Sequence, residues 1–215
     1  MRSYRELLLT VPAALILLFL LIGAIDMSTA HRAACADNLR QIGNMAQHYT
    51  DANNGMIVPV YSKKTAVSSW NFWPAKIAPY SKDLRNFYCP ADPSGKKALA
   101  AANDLLPVML VGSNVSYGLN YFIASSNNRP ASKTNPYNIN RVADPAYVVY
   151  FGDAEILQLR PTRGCWQRDW NPVHDGGANY LMADGHVEFF TGSNPGVYDK
   201  IPGWKQDKKR WRNWK

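Results

Sequence analysis

A stretch near the carboxyl end, HDGGANYLMADGHVEFF, gathers side chains that could do chemistry. It contains His174, Asp175, Asp184 and His186, and Asp153 precedes it along the chain. Imidazole and carboxylate groups can act together as acid and base, or they can hold a divalent metal ion. A mixed set of histidine and carboxylate ligands would suit zinc, whereas calcium takes oxygen ligands only.

Neither chemistry is supported by a recognisable motif. No pair of these residues has the helical or C-x-x-C spacing that marks a zinc site. The sequence has no glycine-rich phosphate loop and no nucleophile elbow, and Gly152-Asp153-Ala154-Glu155 fits no catalytic motif. We therefore expect no catalytic residues, no metal and no cofactor, and we expect that the protein is not an enzyme.

A β-hairpin explains much of the same stretch without chemistry. Asp184-Gly185 separates two short apolar runs, and Asp-Gly favours a two-residue type I′ turn with positive φ at both positions. His174 is then expected to hydrogen-bond the hairpin or nearby backbone and to fix Gly176-Gly177. Alternation along the strands would place one set of side chains on one face and a second set on the other. The first set is Tyr180, Met182, Val187 and Phe189, and the second is Leu181, His186, Glu188 and Phe190.

The elements before this stretch begin with an apolar run. Leu7 to Ile25 is 19 residues without a charge, in a chain of 215 residues that is long enough for one domain. As a helix the run would span roughly 28 Å, close to the hydrocarbon thickness of a bilayer. We expect a membrane anchor with the amino end in the cytoplasm, because Arg2 and Arg5 precede it. A signal peptide cleaved near Ser28-Thr29-Ala30 is the competing interpretation.

An amphipathic segment follows the apolar run. Its apolar residues recur every three or four positions and predict one buried helical stripe: Cys35, Leu39, Ile42, Ala46 and Tyr49. Asn and Gly within Asp51 to Gly55 suit the left-handed end of a helix. The sequence thus predicts one helix of nearly fifty residues.

The middle of the chain predicts a small sheet. Ala146 to Phe151, AYVVYF, is typical of a central strand, and with the hairpin it gives at least three strands. A short helix is expected near Trp73 to Tyr80. Ser125 to Asn140 is rich in Ser, Asn and Pro and is expected to be an exposed loop.

Five blocks in this order resemble a known family: ACADNLRQIGNMAQHYTDANNG, WNFWPAKIAPYSKDLRNFYCPADP, SYGLNY, DPAYVVYFGD and HDGGANYLMADGHVEFF. They are similar to the prepilin-like proteins whose C-terminal signature is His, nine residues, then Asp-Gly. His174 and Asp184-Gly185 fit that spacing. The resemblance covers about Ala34 to Phe190 and identifies the chain as similar to type IV pilins and type II secretion pseudopilins.

The resemblance implies an α+β fold in which a long N-terminal helix packs on a small antiparallel β-sheet. Residues 1–25 would enter the membrane and later the filament core, 26–203 would form the pilin-like domain with 26–50 as the amphipathic half of the helix, and 204–215 would be a tail. The implied function is a structural subunit of a pilus-like or pseudopilus-like filament. Its partners would be copies of itself, other pilins or pseudopilins, and the bacterial inner membrane before assembly in a periplasmic or extracellular filament.

The amino end departs from the family pattern. Prepilins carry Gly before a hydrophobic residue at the processing site, and no Gly precedes Gly23 here. Glu6 lies near the position of the family's Glu, which is thought to neutralise a neighbouring subunit's amino terminus, so Glu6, Arg2 and Arg5 are the expected assembly residues. Glu6 could instead pair with Arg2 or reach water. An uncleaved, single-pass membrane-anchored binding module that uses its outer loops or tail is the alternative function.

The resemblance also bears on metal binding and on the cysteines. Some type II pseudopilins bind calcium in a C-terminal loop, which makes Asp153 and Asp184 possible oxygen donors. Outside the cytoplasm disulfides persist, and we favour a Cys35–Cys89 bond because Cys35 lies on the inward stripe and Cys89 precedes Pro90 near the end of a matched block. Cys165 would be left over. If the compartment is not oxidising, all three remain thiols.

The C-terminal tail, Trp204 to Lys215, carries much of the net charge of +8, with six Lys or Arg against one Asp. Basic side chains interleaved with Trp could contact an acidic face of a neighbouring subunit, a nucleic acid, an acidic glycan or anionic lipid. A solvated basic end is the other interpretation. The residues concerned are Trp204, Lys205, Lys208, Lys209, Arg210, Trp211, Arg212 and Trp214.

Overall fold

The computed structural model describes residues 4–63, 70–93, 115–121, 123–124, 138–142, 144–159 and 171–191. These residues form two α-helices, α1 (Tyr4–Ala52) and α2 (Trp73–Ile77), together with seven strands and three 3-10 turns. The strands are β1 (Tyr61–Lys63), β2 (Trp70–Phe72), β3 (Tyr117–Asn120), β4 (Val149–Asp153), β5 (Gln158–Leu159), β6 (Gly177–Met182) and β7 (Val187–Thr191). The 3-10 turns are Ala78–Tyr80, Leu84–Phe87 and Ile139–Arg141. The predicted α+β class is confirmed.

Helix α1 is one continuous helix of 49 residues, as predicted. It ends where the sequence indicates, because Asn54 and Gly55 adopt φ values of 54° and 80° and the Gly55 N–H bonds the Thr50 carbonyl. The predicted stripe is buried from Cys35 through Leu39, Ile42 and Ala46, while Tyr49 is half-buried. This stripe packs the second half of α1 against β6.

A glycine sets how closely α1 approaches the sheet. A Cβ atom at Gly43 would lie 2.8 Å from Leu181 Cδ2, so any larger residue would force either the Leu181 side chain or α1 to shift. Leu181 is itself buried in the main core. The close approach therefore depends on the missing side chain at Gly43.

Two described apolar side chains of α1 before the buried stripe are exposed. Leu15 is 57% exposed and Met27 is 63% exposed. Within the described residues, no helix combines the length and the hydropathy that crossing a bilayer requires. Most side chains of the predicted membrane run Leu7 to Ile25 lie outside the described residues.

The main sheet has five strands in the order β5-β3-β4-β6-β7. Its β3–β4, β4–β6 and β6–β7 pairs are antiparallel, but β3 and β5 are parallel. The expectation of a purely antiparallel sheet is therefore wrong, since β5 adds a parallel edge. Strands β1 and β2 form a separate antiparallel pair.

Strand β4 is the central strand that the sequence predicts, and all five of its residues are buried. It begins at Val149 and not at Ala146, because Pro145 to Tyr147 form a turn closed by a bond from the Tyr147 N–H to the Asp144 carbonyl. The helix predicted near Trp73 to Tyr80 is confirmed as α2 and the 3-10 turn after it. Most of the predicted loop Ser125 to Asn140 lies outside the described residues.

The hairpin of β6 and β7 forms, but its predicted turn is wrong. Asp184 does not have a positive φ, whereas Gly185 has a φ of 97°. Met182 pairs with His186 across a three-residue loop, which matches a type I turn followed by a left-handed glycine. The expected two-residue type I′ turn at Asp184-Gly185 is therefore absent.

The longer loop shifts the register by one residue and so reverses the predicted faces of one strand. Tyr180 pairs with Glu188 and Leu181 with Val187. Leu181 and Val187 pack in the main core beneath α1. Tyr180 and Phe190 pack together on the opposite face, with ring centroids 5.4 Å apart.

The main core lies between α1, α2 and the sheet. Trp73 at the start of α2 contacts Phe151 of β4 at 5.0 Å and Phe87 at 5.9 Å between ring centroids. Its indole N–H donates to the Leu157 carbonyl, which satisfies the one polar atom of this fully buried side chain. This aromatic group fixes the segment that leads to Cys89.

Candidate functional site

Four side chains from distant parts of the sequence meet in the interior beside α1. Cys35 comes from α1, Cys89 follows the 3-10 turn Leu84–Phe87, Asp153 ends β4, and His174 precedes β6. Each is at most 1% exposed. One candidate ligand atom from each residue lies within 4.8 Å of the other three. We call these four residues the buried cluster.

The predicted disulfide is confirmed within this cluster. Cys35 and Cys89 are bonded, their Cα atoms are 5.2 Å apart, and 54 positions separate them in sequence. The bond joins the second half of α1 to the segment that packs around Trp73. Cys165 lies outside the described residues.

His174 is positioned by a tight turn. Asp175 and Gly176 have φ values of 52° and 76°, and the His174 and Gly177 backbones exchange hydrogen bonds of 3.2 and 2.9 Å. Positive φ at both central residues is the property of a type I′ turn, so this Asp-Gly pair adopts what the sequence predicts for Asp184-Gly185. The turn orients the histidine ring into the core.

The His174 side chain does not make the predicted hydrogen bond to backbone. Its Nε2 lies 3.4 Å from Cys89 Sγ and 3.5 Å from Asp153 Oδ2. Its Nδ1 has no hydrogen-bond partner among the described residues. The ring therefore points at the other members of the buried cluster.

Asp153 is held by the neighbouring strand. The backbone N–H of Asn179 donates to Asp153 Oδ2 at 2.7 Å, whereas Oδ1 is buried with no partner among the described residues. The Asn179 side chain donates in turn to the Arg32 carbonyl of α1 at 3.2 Å. One carboxylate oxygen is thus fixed and the other is left available.

Burial keeps both ionisable members of the cluster neutral. It raises the pKa of Asp153 to about 8, although the hydrogen bond from Asn179 opposes this shift and Asp92 adds to it. Burial also lowers the pKa of His174 to about 4, helped by the positive charge of Arg32. A protonated carboxyl and a neutral imidazole therefore face each other near pH 7, and they do not form an ion pair.

The other candidate ligands from the sequence lie elsewhere. Asp184 and His186 are exposed at the far end of β6 from Asp153, which is opposite Asn179 at the start of that strand. Asn179 to Met182 spans about 10 Å of strand, and Asp184 lies in the turn beyond it, so Asp153 and Asp184 cannot share a calcium ion. Asp175 is exposed and accepts a hydrogen bond from Ser28 of α1.

At the hairpin tip, His186 forms its own small network. Its Nδ1 lies 2.6 Å from Asp184 Oδ1, and its Nε2 lies 3.2 Å from Glu188 Oε1. Partial burial lowers the pKa of His186, but the bonds to Glu188 and Asp184 outweigh it and the net shift is upward. These contacts stabilise the turn and leave no histidine nitrogen for a ligand.

Sequence reasoning missed that the two cysteines, Asp153 and His174 belong together. The positions were predictable singly: Cys35 on the inward stripe, Cys89 at the end of an aromatic block, and Asp153 at the end of a buried strand. A carboxylate directly after a fully apolar strand was the signal that could have found the cluster. Pairing it with His174 required the β4–β6 register, which the sequence does not specify.

The remaining predicted residues fall outside what the structure describes. Glu6 and Arg5 belong to α1, but their side chains are not among those described. Arg2 and the tail 204–215 lie outside the described residues altogether.

No protein-family model, no curated protein and no solved structure matches this chain.

Proposed function

We propose that this chain is a structural subunit of a type IV pilus-like or pseudopilus-like filament, assembled through its hydrophobic N-terminal helix. Before assembly the inner membrane would hold that helix, and afterwards the helices of neighbouring copies would cover it. The domain would lie outside, in a periplasmic or extracellular filament. The resemblance of the five sequence blocks supports this proposal, and so does the shape of α1.

The observation that carries the proposal is the division of α1 into two halves. The buried stripe of α1 begins at Cys35 and contact with the domain begins at Ser28, which donates to Asp175, yet the same helix extends back to Tyr4 without interruption. At 1.5 Å per residue, the part before Ser28 is roughly 36 Å long. Its sequence includes the uncharged run Leu7 to Ile25, and Leu15 within that run is exposed.

The 19-residue uncharged run in this part of α1 needs a cover. A run of this length is typical of a membrane or protein contact, because water solvates apolar side chains poorly. Lipid and the equivalent helices of other copies both supply such a cover. Open, repeated contacts between identical subunits build filaments in place of closed rings.

The disulfide supports a role in which α1 transmits force to the domain. Cys35 is the first buried residue of the stripe, and the bond to Cys89 fixes α1 to the domain at that point. A force applied to the part of α1 before Ser28 would therefore be transmitted to the domain through a covalent link. Glu6, Arg2 and Arg5 are proposed as the residues that adjust charge between neighbouring amino ends.

The proposal can be tested by introducing a charged side chain into the part of α1 before Ser28. When filaments are sheared from cells and sedimented at high speed, Leu15→Glu should abolish the sedimentation of this chain. The reason is that an unpaired carboxylate in an apolar contact between helices costs several kcal/mol. Gln41→Glu is the matched control, since Gln41 is exposed on the second half of the same helix. Equal sedimentation of both variants and the parent chain would contradict assembly through this helix. A parent chain that stays monomeric in the membrane fraction would favour the anchored binding module.

A further inference from the structure

The buried cluster has the donors of a metal site, yet two of them are consumed by the disulfide. The four candidate ligand atoms lie within 4.8 Å of one another, and all four residues are buried. The imidazole Nε2 already points at both a sulfur and a carboxylate. Asp153 Oδ1, in addition, is a buried oxygen without a partner among the described residues.

We propose that reduction of the Cys35–Cys89 bond converts the buried cluster into a site for one zinc-class divalent ion. The two thiolates, the His174 imidazole and the Asp153 carboxylate would be its ligands. Oxidation to the disulfide would close the site. This inference stands apart from the filament proposal, since it concerns only the domain interior.

The donor set suits zinc. Zinc prefers four ligands of the Cys, His and carboxylate types in a tetrahedral arrangement, and closed sites of this kind are structural. Thiolate ligands select against magnesium and calcium, which take oxygen donors. Cys35, Cys89, Asp153 and His174 together supply that number of ligands without help from solvent.

The geometry requires only a small change. Two Zn–S bonds of about 2.3 Å at a tetrahedral angle place the sulfurs about 3.7 Å apart. The Cα atoms of Cys35 and Cys89 are 5.2 Å apart, so rotation of the two side chains can bring the sulfur atoms to that separation. His174 Nε2 is 3.4 Å from Cys89 Sγ, which is already close to a ligand-to-ligand distance in a tetrahedral site.

The surroundings support the ligands. The Asn179 N–H holds Asp153 Oδ2, and this carboxylate oxygen lies 3.5 Å from His174 Nε2. Such second contacts orient a ligand and raise metal affinity. Zinc with two thiolates and one carboxylate carries a net charge of −1, and the positive charge of Arg32 acts on this region from α1. His31 also acts on His174, and the Asp175 carboxylate opposes the effect of Arg32.

Reduction and metal binding are two separate steps. The disulfide takes up two electrons and two protons and gives two thiols, while a dithiol reductant loses both and becomes a disulfide. A phosphine does the same by becoming a phosphine oxide, with its oxygen and the two protons supplied by water. Binding of Zn²⁺ then displaces the two thiol protons and the Asp153 carboxyl proton to solvent and forms two Zn–S bonds, one Zn–N bond and one Zn–O bond. The metal does not change its oxidation state.

The experiment uses the full chain carrying Cys165→Ser, purified in detergent, so that Cys35 and Cys89 are its only cysteines. The protein is reduced with a phosphine in the presence of Co²⁺ alone, and Zn²⁺ is then titrated against the cobalt spectrum. We expect one Co²⁺ per chain, with the thiolate charge-transfer and visible absorption of a tetrahedral site, displaced by one Zn²⁺. The oxidised chain should give no such spectrum.

Two variants test the ligand assignment. Asp153→Asn and His174→Gln should each weaken cobalt binding by at least about tenfold and alter the visible bands, since a lost ligand costs more than a lost supporting contact. Asp184→Asn and His186→Gln, on the exposed hairpin tip, are the matched controls and should leave the spectrum unchanged.

Three results would overturn the proposal. One is a reduced chain that stays folded by circular dichroism but binds no stoichiometric cobalt. Another is an unchanged cobalt spectrum in both ligand variants. The third is a reduced chain that unfolds to the same extent with and without zinc. Zinc-dependent retention of the fold after reduction would support the site.

Discussion

Removal of the Cys35–Cys89 bond should destabilise the domain by an amount that the chain length between the cysteines sets. The bond closes a loop between residues 54 positions apart. In the chain-entropy account, a loop of this length restricts the unfolded chain by about 4 kcal/mol at 25 °C. For a chain of this size each kcal/mol moves the melting midpoint by about 2 to 4 °C, so the midpoint should fall by about 8 to 16 °C.

The assay compares the oxidised parent chain with Cys35→Ala/Cys89→Ala by urea denaturation in metal-free buffer. Circular dichroism follows the helical content, most of which is α1, and the fluorescence of the seven tryptophans, which include buried Trp73, follows the environment of the aromatic side chains. Cys165→Ala is the matched control and should not share the loss. A loss below about 1 kcal/mol would refute the reasoning, because the bond would then not constrain the unfolded chain.

Two further predictions concern the buried cluster and the turns beside it. Because the folded chain holds the Asp153 proton up to a pKa of about 8 and the unfolded chain only to 3.8, this group makes stability fall as pH rises between those values. His174 has the opposite effect between its lowered pKa of about 4 and 6.5, so the net fall should appear between pH 6.5 and 8 and amount to roughly 2 kcal/mol. Urea titrations of the oxidised, chelator-treated protein should show this fall in the free energy of unfolding, and Asp153→Asn should remove it. A urea midpoint of the parent chain that does not change with pH would contradict the prediction. Gly177→Ala should destabilise the protein more than Gly185→Ala, because a Cβ at position 177 would lie 2.4 Å from the Phe189 ring. A Cβ at position 185 would meet nothing within 4 Å, so Gly185→Ala should cost only about 1 to 2 kcal/mol for the φ of 97°. Thermal melts of both variants decide the order, and an equal loss would refute the close packing at Gly177.

The long helix and its link to the domain could be predicted from the sequence. The recurrence of Cys35, Leu39, Ile42 and Ala46 fixes both the helical period and the buried face, and the glycine after Asn54 fixes the end. Placing Cys35 on that face also made it a partner for Cys89. These are local patterns, and tertiary contacts reinforced them.

The hairpin register could not be predicted, because Asp-Gly suits both a two-residue type I′ turn and the end of a three-residue loop with a left-handed glycine. Asp175-Gly176 takes the type I′ geometry and Asp184-Gly185 does not. One additional loop residue changes which side chains face the core, since strands alternate with a period of two. Only packing of Leu181 beneath α1 decides between the registers.

The buried cluster was beyond sequence reasoning for a related cause. Its members come from α1, a loop, β4 and the turn before β6, and no short spacing connects them. From the sequence, His174 is expected to bond the hairpin or nearby backbone and to fix Gly176-Gly177. Its neighbours in space are Cys89 and Asp153.

Electron microscopy of material sheared from cells expressing the full chain, combined with mass spectrometry of its N-terminal peptide, tests the central proposal most directly. We predict filaments that contain this chain, with an N-terminal peptide that shows which residue precedes the apolar run in the assembled form. Intact protein in the membrane fraction, without filaments in the sheared material, would contradict the filament proposal.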